Sequence, residues 1–225
     1  MKKNTSINNA VLEPSGDFDF AKSRTRTKMN TKEMALCGLM GGLCSVLMMF
    51  RFPLPFMPPF MDFDFAGMVE MIGGFTMGPV AAFAIILVKI LLKCVTQGTS
   101  SAWTGELSNL ILSCSFVIPA VLIYGRHKTK KMAIIGMLTG TVICAAVAVL
   151  TNLYMIIPFY ATFSGLTMDK IIAMCEAVNP FLNSKWRMAL LGIVPFNLIK
   201  NGVLSVLTML VYKKLSRQIK HFIQY

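Results

Sequence analysis

Residues 132–158, MAIIGMLTGTVICAAVAVLTNLYMIIP, decide the fold class. They carry no charge, and the uncharged run continues to Met168, the longest in the chain. A helix needs about 20 mostly apolar residues to cross a bilayer core of about 30 Å, so the stretch reads as a membrane span ending near Pro158. Comparable runs lie on both sides: Met34 to Phe50, Met71 to Val88, Leu107 to Gly125, and residues 188–212, whose single charge is Lys200. Gly78-Pro79 interrupts the second of these and marks a tight turn between a short helix over 66–77 and a full-length one over 80–96. Residues 51–65, RFPLPFMPPFMDFDF, hold four prolines and cannot form a regular helix. The expectation is an all-α membrane protein with six transmembrane helices, the second of them short. The membrane domain covers 34–214. It follows a basic head of low order (1–33) that lacks the apolar stretch of a secretory signal, and it precedes a cytoplasmic C-terminal tail (215–225).

Composition agrees. Hydrophobic residues make up 55% of the 225 and charged residues 14%, with a mean hydropathy of +0.64. Soluble domains carry about 25% charged residues, so a soluble globular enzyme and a disordered regulator are both excluded. The net charge of +12 has to be read by location. With both termini in the cytoplasm, the head, residues 125–131 and the tail from Lys213 hold 15 of the 22 Lys/Arg. The positive-inside rule therefore predicts N-in, C-in. The basic patches set topology and adjoin no base-reading motif, so nucleic acid is not expected as a partner; the bilayer is.

Several chemistries lack their motif. Without GxxxxGKS/T the chain has no phosphate-binding loop for ATP hydrolysis, and without HExxH or GxSxG nothing nominates a metal site or a nucleophile. The six cysteines are scattered, with no CxxC, and read as small apolar fillers rather than ligands or disulfides. No catalytic role and no metal are expected.

Polar groups at membrane depth are costly and therefore informative. Lys200 sits midway along the last run, and Asn197, Lys200 and Asn201 at i, i+3 and i+4 share one helical face. Such a donor cluster suits a planar imide or carbonyl edge; an interhelical clamp, or pairing of Lys200 with Glu106, is the competing reading. Asn152 interrupts the fifth run. Glu106 and Asn109, in GELSN, again share a face, and Glu106 is equally a cap or a partner for Lys89 or Lys93. On the first helix Gly38-xxx-Gly42 and Gly41-xxx-Ser45 allow close approach of another helix.

Taken in order, FPLPFMPPFMDFDF, IGGFTMGP, GELSN, Asn152 ahead of IIPFY, and PFNLIKN resemble the riboflavin-specific S component of energy-coupling factor (ECF) transporters over about Met34 to Lys214. The resemblance implies a six-helix subunit of a prokaryotic cell membrane that binds riboflavin as transported ligand, with no cofactor. It also implies docking on a transmembrane coupling protein with two ATP-binding subunits. By the same resemblance Asn152, Asn197 and Lys200 hydrogen-bond the polar edge of the flavin ring, while Leu54, Phe56 and Phe60 in the first outer loop close over it. Glu106 and Asn109 are further ligand candidates. The family's Ala-xxx-Ala docking face is altered here, because Leu39 stands four residues after Ala35, and the small stripe becomes Ala35, Gly38 and Gly42. Ala66-Gly67 likewise follow FDF where the family has an acidic position. Three alternatives accompany this reading: an S component for folate, thiamine or pantothenate; a self-sufficient, non-ECF carrier; and a non-transport membrane subunit or intramembrane enzyme.

Overall fold

The computed structural model describes residues 29–53, 61–98, 103–156, 158–159, 162 and 168–224. Leu54, Phe56, Phe60 and residues 1–28 of the head lie outside the described residues. Helix α1 spans Thr31–Met49 and starts on a capping box, in which the Asn30 side chain accepts a backbone N–H while Glu33 accepts the Asn30 N–H at 2.9 Å. A two-residue hairpin follows: β1 (Phe52–Pro53) pairs antiparallel with β2 (Asp62–Phe63), Phe52 facing Phe63 and Pro53 facing Asp62. Phe52, Phe63 and Phe65 cluster on it with ring centroids 5.3–6.1 Å apart.

Helix α2 covers Ala66–Met77 and α3 covers Pro79–Gln97. Gly78 separates them at φ 99°, a conformation open to glycine, and Pro79 begins the next helix where no N–H partner is needed. At 1.5 Å per residue α2 is about 18 Å long, too short to cross a bilayer core. Next come α4 (Thr104–Arg126), α5 (Lys130–Thr151), α6 (Met168–Val178) and α7 (Val194–Gln224). Among the described residues five helices are long and apolar enough to span a membrane: α1, α3, α4, α5 with its extension to Ile156, and the continuous helix Lys185–Ile223. α6 was not expected, and α7 runs on well past the apolar stretch that ends at Tyr212.

Two helices widen locally. α5 continues as a π-helix over Asn152–Ile156, and α7 is preceded by another over Met188–Ile193. Each ends just before a proline. A proline ring clashes with the carbonyl four residues back, which for Pro158 is that of Tyr154 and for Pro195 that of Leu191, both inside the π stretch. Widening the turn relieves the clash, and at Met188–Ile193 the chain runs on into α7 through Pro195.

Small residues set the closest contacts. A Cβ on Gly140 would stand 2.2 Å from the Phe116 carbonyl oxygen, and one on Gly136 would stand 2.7 Å from that of Ala120, so α4 and α5 touch backbone to backbone. On α1 Gly41 packs against Val88 of α3, whereas nothing lies within 4 Å of a Cβ on Gly38. Gly41 is therefore closed by α3, a Cβ on Gly42 would meet only Leu92 at 3.9 Å, and Gly38 is open.

Candidate functional site

A cavity of about 290 Å³ lies among α2, α3, α4, α5 and α7, bordered on one side by Arg51, Asp62 and Asp64 of the hairpin segment. Its two long walls differ in chemistry.

The α7 wall presents Asn197, Lys200 and Asn201, the face expected from the i, i+3, i+4 spacing. Lys200 Nζ donates to Asp64 Oδ2 at 2.6 Å and to the Asp62 carbonyl at 3.3 Å. An ammonium has three donors, so one remains. Asn197 Nδ2 donates to the Ile193 carbonyl at 2.8 Å, and the Cys144 thiol lies 3.9 Å from Asn197 Oδ1. Asn201 is 4% exposed, and its Nδ2 has no hydrogen-bond partner among the described residues. Across the cavity Asn152, the first residue of the α5 π-helix, donates to the Ala148 carbonyl at 2.8 Å. Both asparagines, Asn152 and Asn197, adjoin π-helical backbone, a setting that recurs at functional sites.

The opposite wall joins α2, α3 and α4. Lys89 Nζ forms an ion pair with Glu70 Oε1 at 2.5 Å and donates hydrogen bonds to Asn109 Oδ1 at 2.8 Å and Ser113 Oγ at 2.9 Å. Glu70 is completely buried and Lys89 nearly so. Beyond that ion pair, neither Glu70 carboxylate oxygen has a hydrogen-bond partner among the described residues. One turn further along α3, Lys93 pairs with Glu106 at 2.9 Å.

The hairpin closes on this charge pattern. Burial pushes the Asp64 carboxyl up, but the nearby Lys200 and Lys89 ammonium groups and the Ala66 N–H outweigh it and hold the group below its ordinary value. Arg51 pairs with Asp62 at 3.4 Å on the more exposed side.

Of the candidates read from sequence, Asn109, Asn152, Asn197 and Lys200 converge on the cavity. Glu106 contributes through Lys93 and itself lines a neighbouring apolar cavity of about 390 Å³ with Trp103 and Met155. Lys200 pairs with Asp64 rather than Glu106. Ala35 and Gly38 are exposed and Gly42 is half-buried. Sequence reasoning missed Asp64, Glu70 and Ser113, and offered Lys89 as a partner for Glu106, whereas it pairs with Glu70. The intramembrane position of Glu70, next to an uncharged run, was the one signal available for it.

Residues 32–212 match the family described as ECF transporter, substrate-specific component. The chain belongs to that family. This S component is similar to the riboflavin transporter RibU of Staphylococcus aureus (strain TCH60), 28% identical over 87% of this chain and 97% of that one. It is also similar to the riboflavin transporter FmnP of Bacillus subtilis (strain 168), 26% identical over 83% of this chain and 93% of that one. A solved S component of a bacterial ECF transporter superposes with a TM-score of 0.66 at 27% identity, covering 84% of this chain and 98% of that one. The S component is thus a membrane-embedded part of a transporter and not an enzyme, and its mostly helical fold is that of an ECF S component.

Proposed function

We propose that this S component captures riboflavin at the outer face of a prokaryotic cell membrane and hands it to an ATP-driven ECF complex. In that complex it docks on a transmembrane coupling protein served by two ATP-binding subunits. The carrying observation is the cavity's α7 wall, where Lys200 retains a donor and Asn201 Nδ2 is buried with no partner. Leaving buried donors unpaired is costly unless a ligand completes them, and the carbonyl-rich edge of a flavin ring does so. The riboflavin transporters among its relatives support the same ligand. Asn152 and Asn197 join Lys200 and Asn201 at that edge, Asn109 serves on the opposite wall with Glu106 behind it, and Leu54, Phe56 and Phe60 are assigned the role of closing over the ring. Six helices, α2 being a half-span, leave both termini in the cytoplasm, in line with the distribution of Lys/Arg.

Purified protein tests the ligand directly. It should quench riboflavin fluorescence on titration, and unlabelled riboflavin, but not folate, thiamine or pantothenate, should compete. Proteoliposomes holding the S component alone should not accumulate riboflavin, whereas those with the coupling protein, the ATP-binding subunits and ATP should. Quenching by none of the flavins, or competition by another vitamin, would overturn the ligand assignment.

A further inference from the structure

On the reading that a flavin occupies the cavity, we propose that Glu70 accepts hydrogen bonds from the hydroxyl groups of the ligand's polyol tail. On the α2–α4 wall the buried side-chain atoms without a hydrogen-bond partner among the described residues are the Glu70 carboxylate oxygens. Lys89 Nζ pairs with Glu70 and donates to Asn109 Oδ1 and Ser113 Oγ. Glu70 Oε2 is buried, lines the cavity with the rest of its side chain, and bonds to nothing among the described residues. A carboxylate oxygen accepts and does not donate, so its missing partner is a donor. An apolar ligand group there would leave the oxygen desolvated and unpaired, which is strongly unfavourable.

The cavity is therefore polarised. The α7 wall offers spare donors, at Lys200 and Asn201 Nδ2, and the α2 wall offers a spare acceptor. A molecule with carbonyl acceptors at one end and hydroxyl donors at the other satisfies both, in one orientation. A flavin without a hydroxylated tail satisfies only the first. The Lys89 ion pair contributes by orienting the carboxylate, because Asn109 and Ser113 of α4 hold the ammonium in place.

The test compares two flavins on the purified full chain: riboflavin, and a flavin whose ring nitrogen carries a five-carbon chain without hydroxyls. Wild-type protein should prefer riboflavin by about tenfold or more, the size of a hydrogen bond to a charged group. In Glu70→Gln, which turns one of the two acceptor oxygens into an NH2 donor and removes the charge, that preference should shrink to about twofold or less. Equal affinity of wild-type protein for both flavins, or an undiminished preference in Glu70→Gln, overturns the proposal. Should Glu70→Gln fail to fold, the double variant Glu70→Leu/Lys89→Leu removes both charges together, an exchange that buried pairs tolerate. There too the preference must collapse, and its persistence overturns the proposal. Failure of wild-type protein to bind either flavin would instead sink the riboflavin reading.

Discussion

Lys89 and Lys200 are both lysines set deep in apolar helices, yet they do opposite things with their charge. Lys89, 2% exposed, is committed to the Glu70 ion pair and to hydrogen bonds with Asn109 and Ser113, and holds three helices together. Lys200 spends two on the hairpin and retains one toward the cavity. The lesson is that depth alone does not mark a ligand contact; unspent bonding capacity does. The glycines repeat the contrast in steric form. Gly136 and Gly140 are closed by α4, while Gly38 faces open space.

The largest expected effect separates the lysines by stability. Lys89→Ala strands a fully buried carboxylate and should cost about 3–5 kcal/mol, seen as a lower thermal midpoint and loss of monodispersity. Lys200→Ala should lower the midpoint less, because Asp64 can relax toward the mouth. Equal destabilisation by the two would dissolve the distinction.

Binding should rank them the other way. Lys200→Ala, and Asn197→Ala beside it, should weaken riboflavin roughly ten- to hundredfold while the protein stays folded, since a bond to a charged group is worth about 1.5–3 kcal/mol. Fluorescence quenching measures this, and wild-type affinity in both variants would refute the α7 wall as the ring site.

The glycine pairs give a sharper version. Gly136→Leu/Gly140→Leu should prevent assembly of α4 on α5, so that no folded protein is recovered. Gly38→Leu/Gly42→Leu should retain riboflavin affinity but lose co-purification with the coupling protein, because the stripe is outward. A folded Gly136/Gly140 variant, or loss of binding with partner retention in the other, would invert the assignment.

The smallest effect is in pH. A carboxyl held below its ordinary value of 3.8 contributes stability at every pH above that value and loses it as pH falls through the lower folded value. The stability gap between wild type and Asp64→Asn should therefore be flat from pH 8 to 5, by roughly the reach of an aspartate titration, and close only in stronger acid. A gap that closes near pH 6 would place the titration on another group.

Much of this contrast was legible beforehand because it is local. Gly78-Pro79 marked the end of α2 at Met77, and the spacing of Asn197, Lys200 and Asn201 put them on one wall. What was hidden depends on partners far along the chain. Asp64 and Lys200 are 136 residues apart, and no periodicity links Glu70 to Lys89 on a different helix. α6 escaped notice because Asp169, Lys170 and Glu176 break its apolar pattern. The π-helices escaped because a proline signals a kink or a stop and does not say which relief the chain will choose.

Those two widened turns also change what a mutation of length can do. Each π stretch holds a residue more per turn than an α-helix, and one residue corresponds to about 100° of rotation. Deleting a single codon within Met188–Ile193 would let the ladder revert to α with Asn197, Lys200 and Asn201 still facing the cavity, because a π stretch of this length turns about as far as an α stretch one residue shorter. The same deletion beyond Val194, where the helix has no spare residue, would swing everything after it by about 100°. The widened turns are therefore where these helices can change length by one residue without moving the site.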